Sequence, residues 1–364
     1  MFEMFLFVSL SRYFVIQTKM KRLYLLLYLS LLAFLSSCST DIDLYADYKQ
    51  VPIVYGLLDA NADTNFIKIT RAFYVQGDAY QSAANPDSSN YPGKLDVRII
   101  EYCNGDSVRE IIFDTITIRN KEQGVFYAPK QKMYYTTEPL SMNSISNNYS
   151  YKLRVVLPDR TLVTTTDLVG NGSYDIQSLA VNFSKEYIGM VPRRFLFCPA
   201  INAAFYDVNM SFTFLEQRTP DDDSVPRTMS WYVGTYMTDL LSANMDGMSY
   251  AFFYRPETFY EELSEFIGGD TNVVGLKRYI DDYPVEVTIA AGGEKLRRYI
   301  YENDPTNGFV GGDNEFALID NGYGVFSSRM TIRRNVRLGG ETVPDLVRER
   351  KWGFKFIGGE PIGM

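Results

Sequence analysis

Apolar and polar positions alternate along much of this chain, and the alternation has period two. Leu95, Val97 and Ile99 are interleaved with Asp96 and Arg98, which predicts a strand with one buried face. Asn104-Gly105 follows, and then a second strand-like run from 108 to 113. An Asn-Gly pair between two such runs predicts a tight hairpin, because both turn residues need positive φ. Tyr151, Leu153, Val155 and Leu157 alternate with Lys152 and Arg154, and Pro158-Asp159 turns them into the β-branched run 161–166. Nearer the start, 51–58 is apolar almost throughout, and Ile67 and Ile69 share one face of 65–70. Residues 51–169 therefore read as an antiparallel β-sandwich of immunoglobulin-like or transthyretin-like kind.

The pattern changes after Leu168-Val169-Gly170-Asn171-Gly172, the predicted seam between domains. Residues 170–364 read as a second β-rich domain with short helices. Long strands are expected at 204–216 and 227–235, the latter carrying Trp231, and another at 285–289. Pro256 and Glu257 open a run in which Phe259, Leu263, Phe266 and Ile267 share a helical face, and Gly268 closes it. A second helix is expected over 294–303, with Leu296, Tyr299 and Ile300 on one side. The chain closes on strand-like segments at 315–330 and 352–357. Between Tyr74 and Lys94 a Ser, Asn, Asp, Gly and Pro stretch reads as a mobile surface loop, with a binding loop as the alternative. The seam implies that residues 39–169 fold without the rest.

The first segment has a different pattern. Met20-Lys21-Arg22 precedes an apolar block from 23 to 35, and Leu35-Ser36-Ser37-Cys38 follows. A basic start, a dozen apolar residues and small residues before a cysteine are the layout of an export signal ending in a lipobox. Residues 1–37 are thus expected to be a signal peptide, with Cys38 lipidated as the first mature residue. Residues 1–19 stand upstream of a complete signal, and their apolar block at 4–10 is too short to span a bilayer. Translation is expected to start at Met20, with one long signal as the alternative. Residues 38–50, with Asp41, Asp43 and Asp47, read as an acidic tether.

Composition narrows the chemistry. The chain of 364 residues carries 36 basic and 44 acidic side chains. Removing the first 37 leaves 32 against 43, a net charge of −11. Such a surface repels nucleic acid. There is no histidine, which removes Ser-His-Asp and Cys-His catalysis and His-ligated zinc. Apart from Cys38 the cysteines are Cys103 and Cys198. In an exported chain they could form a disulfide, while two separate buried thiols are the other reading.

Few residue groups point to a site. Asp221-Asp222-Asp223 could hold calcium, whose ligands are carboxylate oxygens, but lacks the spacing of a calcium loop, and a solvated hairpin tip is the simpler reading. Glu261, Glu262 and Glu265 fall opposite the apolar stripe of their helix, and they and Asp281-Asp282 read as solubilising. Gly292-Gly293 before a helix lacks the fingerprint spacing of a phosphate loop and reads as a tight turn. The chain holds 28 Tyr and 24 Phe. Most should fill the core. Tyr80, Tyr91, Tyr134 and Tyr135 lie in or near polar segments and are the aromatics expected to touch a ligand. No cofactor is implied.

Several segments resemble an uncharacterised family of Bacteroidota outer-membrane lipoproteins. They are Tyr55-Gly56-Leu57-Leu58, Phe66-Ile67-Lys68-Ile69-Thr70-Arg71, Tyr151-Lys152-Leu153 with Thr161-Leu162-Val163, the strand and helix from 285 to 301, and Asn321-Gly322-Tyr323-Gly324-Val325-Phe326. The resemblance implies a β-rich fold, an address on the outer membrane and the company of TonB-dependent transporters. It carries no catalytic residue. The acidic residues after Cys38 resemble the signal for the outer face of that membrane. Asp106-Ser107-Val108, Asp114-Thr115-Ile116 and Asp223-Ser224-Val225 resemble the phylum's O-glycosylation sites, which would place sugar on Ser107, Thr115 and Ser224. The expected function is a non-enzymatic, lipid-anchored, surface-facing lipoprotein that binds a glycan, peptide or protein partner as accessory to uptake. An adhesin or envelope structural protein is the alternative, and an enzyme without histidine the third reading.

Overall fold

The alternating runs of the first half become β1 (Pro52–Leu58), β2 (Asn65–Arg71), β3 (Asp96–Cys103), β4 (Asp106–Ile112), β5 (Asp114–Ile118), β6 (Gln131–Thr136), β7 (Tyr149–Val156) and β8 (Thr161–Asp167). The second half adds β9 (Ala180–Val181), β10 (Arg193–Phe197), β11 (Phe205–Gln217), β12 (Val225–Met237), β13 (Tyr250–Tyr254), β14 (Lys277–Ile280), β15 (Val285–Gly292), β16 (Tyr323–Leu338) and β17 (Phe354–Phe356). Four helices bear on the argument: α1 (Ala79–Ala83), α2 (Pro86–Ser89), α3 (Pro256–Phe266) and α4 (Glu294–Glu302). This computed structural model describes residues 51–73, 78–119, 124, 130–170, 174–184, 193–241, 249–268, 276–304, 318–320, 322–349 and 352–356. The expected signal peptide, Cys38 and the expected acidic tether lie outside them. The protein is mainly β.

Local signals act where they stand. Asn104 and Gly105 take φ of 52° and 98°, and β3 and β4 pair directly across them. Pro256 opens α3, and Gly268, at φ 62°, ends it. The stripe of α3 buries Phe259 and Leu263 fully, and Phe259 stacks on Phe183 with ring centres 4.2 Å apart. The stretch expected as a structureless loop contains α1 and α2. Asp78 and Asn85 cap these helices by accepting the backbone N–H of Tyr80 and Asp87, and Pro86 starts α2. Lys132 then holds the returning chain by donating to the carbonyls of Tyr91, at 3.0 Å, and Gly93. Residues 74–77 of that stretch lie outside the described residues.

Strands β4-β3-β7-β8 form one sheet, and β10-β13 a small second one. The remaining strands form a single large sheet in the order β17-β14-β11-β15-β16-β1-β2-β6-β5, with β12 on β11 and β9 on β16. The seam expected at Gly170 coincides with a change of core and not with a break between sheets. One core runs from Val54 to Leu168 and, among the described residues, adds only Ile319 and Phe326 from later in the chain. It lies between β4-β3-β7-β8 and the β16-β1-β2-β6 part of the large sheet. The other core starts at Val169 and fills the space under β11 and β15 with Phe195, Phe212, Phe252 and Phe259. Yet β1 pairs in parallel with β16, from Ile53 opposite Tyr323 to Leu58 opposite Ser328. Ser328 binds the seam itself: its hydroxyl donates to the Asp167 carbonyl at 2.6 Å and accepts from the Val169 N–H at 2.9 Å. Residues 51–169 therefore share their central sheet with the end of the chain.

Each core carries a buried carboxylate. Glu101 accepts from Tyr151 Oη at 2.6 Å, from Ser141 Oγ at 2.9 Å and from Arg109 Nη2 at 3.0 Å. Glu216 accepts from Arg278 Nε at 2.9 Å and Arg227 Nη1 at 3.0 Å, and Arg278 is itself fully buried. Burial pushes both carboxyls up, but these hydrogen bonds outweigh it and hold both below the ordinary glutamate value.

Candidate functional site

A strand buried on one face shows polar residues on the other, but β1 does not. Val54, Gly56 and Leu58 point to the core, and the opposite face carries Ile53, Tyr55 and Leu57. Registers extend this outer face sideways. Tyr55 lies opposite Val325 on β16 and Lys68 on β2, Ile53 opposite Tyr323, and Phe66 on β2 opposite Tyr135 on β6. Ile116 on β5 faces Met133 on β6. The result is an apolar, aromatic surface on the solvent side of the large sheet.

Its rings are ordered by contacts. Phe66 and Tyr135 sit 6.5 Å apart, tilted by 32°. Tyr55 meets Tyr299 of α4 edge-on at 6.0 Å, with their hydroxyls 3.4 Å apart. Burial and the Tyr55 hydroxyl push Tyr299 up to about 12. Tyr55 remains 40% exposed and Tyr323 54%. Lys68, the charge in the middle, donates to Gln131 Oε1 at 2.6 Å. The chemistry on offer is stacking and apolar contact, with one ammonium group. It contains no nucleophile paired with a base.

The residues expected from sequence scatter. Tyr135 belongs to this surface. Its neighbour Tyr134 points the other way, fully buried, and accepts the Leu95 N–H at 3.1 Å. Tyr91 is 2% exposed and lies in the core, where Arg71 stands 5.9 Å from its ring. Neither Tyr91 nor Tyr134 can stack on a ligand, so these two expectations are corrected. Tyr80 is 71% exposed on α1 and belongs to no cluster of rings among the described residues. Tyr55, Phe66, Tyr299 and Tyr323 were not anticipated. The readable signal was the apolar run 51–58, which leaves no polar face for water.

The other candidates gather no site. Cys103 and Cys198 are both free thiols, so the bridge is not formed, and both are half-buried instead of core residues. Gln177 Nε2 donates to Cys198 Sγ at 2.9 Å. Asp221, Asp222 and Asp223 are exposed. Asp222 Oδ2 accepts the Thr219 N–H at 3.0 Å, which makes it a turn residue of the β11–β12 hairpin. No group of three or more His, Cys, Asp or Glu side chains fit to hold a metal ion occurs among the described residues. Glu261, Glu262 and Glu265 stand in solvent on α3. At Gly292 an added Cβ would lie 2.3 Å from the Phe205 ring, so this glycine is needed where the strand-to-helix turn packs against Phe205. Ser107 and Ser224 are exposed, while Thr115 is half-buried on the core side opposite Tyr134. No helix among the described residues is long and apolar enough to cross a membrane. Comparison with family models finds no match for this chain, and comparison with curated proteins finds none either.

Proposed function

We propose that the chain is a non-enzymatic lipoprotein of the outer membrane, anchored through Cys38 and facing outward, whose body docks a partner of a TonB-dependent uptake system. The lipobox, the acidic residues behind it and the missing histidines support this reading. The observation that carries it is the surface of Tyr55, Phe66, Tyr135 and Tyr323: four rings gathered on one sheet face, three of them exposed and Tyr135 half-buried, are unusual unless something covers them. The test is capture from detergent-solubilised outer membrane. The tagged full chain should retain a TonB-dependent transporter, and the Tyr55→Ala, Phe66→Ala, Tyr135→Ala triple variant should lose it while melting as the parent does. Equal capture by both would remove the surface from the account. Protection of the native protein from protease on intact cells would remove the outward address.

A further inference from the structure

The solvent face of the large sheet changes character beyond α4. On β11, β12, β15 and β16 the core side is apolar, with Val208, Met210, Val287 and Ile289 fully buried or nearly so. The outer side is built of hydroxyl, amide and charged groups. One cross-strand row runs unbroken through the registers: Tyr232 on β12 opposite Asn209 on β11, Asn209 opposite Thr288 on β15, and Thr288 opposite Arg333 on β16. Four strands at the usual spacing make this row about 14 Å long. Tyr232 is 56% exposed, and Asn209 and Arg333 are exposed too.

Arg333 stands apart from the other arginines of β16. Arg329 lies 3.9 Å from Asp59, Arg334 pairs with Asp175 at 3.4 Å, and Arg337 stacks on Tyr283 at 4.9 Å. Arg333 has neither an ion pair nor a hydrogen bond among the described residues. Two further acids share this face. Asp207 is engaged by Thr235 Oγ1 at 2.5 Å, and Glu286 accepts from Thr288 Oγ1 at 3.5 Å. Thr235 also bonds the Tyr232 hydroxyl, which fixes the ring at the far end of the row. An unpaired guanidinium on a body of net charge −11 is complementary to an anion that the rest of the surface repels.

We infer that this row binds an anionic saccharide, with its acid group on Arg333, its hydroxyls on Thr288 and Asn209, and a ring face on Tyr232. The guanidinium offers a bidentate fork to a carboxylate or sulfate. Thr and Asn both donate and accept, which suits sugar hydroxyls, and the tyrosine face suits their C–H groups. The inference deepens the binding role proposed above by naming a ligand class. The full chain in detergent would be titrated with polygalacturonate and with dextran sulfate, against methyl-esterified polygalacturonate and polyglutamate. Binding of either anionic sugar, at least tenfold tighter than both controls, is expected. Arg333→Gln and Tyr232→Ala should each weaken it tenfold or more, with Arg154→Gln on the far sheet as a charge control that leaves it unchanged. No binding of either anionic sugar, equal binding of polyglutamate, or undiminished binding by Arg333→Gln would overturn the assignment. A chain that captures its transporter yet binds neither sugar sinks the saccharide alone. A chain that binds sugar but captures no transporter sinks the uptake role alone.

Discussion

Tyr134 and Tyr135 are chemically identical neighbours with opposite fates. One fills the core and the other faces solvent, because successive strand residues point to opposite sides. Only the register with Ile67 and Phe66 decides which is which, and that register is not written in the tyrosines. Single residues nevertheless make firm predictions. Cys38→Ala should abolish labelling by a palmitate analogue, and equal labelling of variant and parent would remove the anchor. Glu101 and Glu216 predict an acid limit. Their folded-state carboxyls titrate below the unfolded value of about 4.3. Their stabilisation is therefore complete above that value and is lost as pH falls through the depressed folded one. The midpoint of melting should drop steeply below about pH 4. Glu101→Gln and Glu216→Gln should melt lower at pH 7, by about 3 kcal/mol in stability, and should lose less on acidification. A parallel acid loss in parent and variants would assign it to other groups.

At the scale of elements, legibility follows locality. The β3–β4 hairpin and the bounds of α3 could be read because Asn104-Gly105, Pro256 and Gly268 act on their own turns. The two short helices after residue 78 were obscured by the same Asp, Asn and Pro residues, which serve as caps here and as loop formers elsewhere. The pairing of β1 with β16 left no local mark, since a parallel neighbour needs no turn beside it. It left an indirect one at Gly324, where φ is 100° and an added Cβ would stand 2.0 Å from the Val54 carbonyl. Gly324→Ala should therefore destabilise by more than about 1 kcal/mol, read as a lower melting midpoint. An unchanged midpoint would show that the two strands can separate there without cost.

For the whole molecule, the two cores and the single sheet give opposite advice about where the chain may be cut. The sheet decides. A fragment of residues 39–169 keeps nearly all of one core but strips β1 of six paired residues on β16, and opens the core where Ile319 and Phe326 close it. It should show β-type circular dichroism without a cooperative melt, and a sharp transition should return when residues 170–364 are supplied. A cooperative melt of the fragment would restore independent modules. The two proposed binding surfaces were the least legible part, because each is assembled from four or more strands distant in sequence. The run 51–58 hinted at one of them, and nothing local announced the row from Tyr232 to Arg333.

The position of β1 has a mechanical side. β1, the first strand after the proposed lipid site at Cys38, is held on both edges, by β16 on one and β2 on the other. Under the proposed anchorage, a pull on β1 along its axis would load both ladders in shear, so that many hydrogen bonds must fail together instead of one after another. An edge strand in that place would peel. If the proposed anchorage and outward address hold, drag on the body falls on a strand paired along both edges.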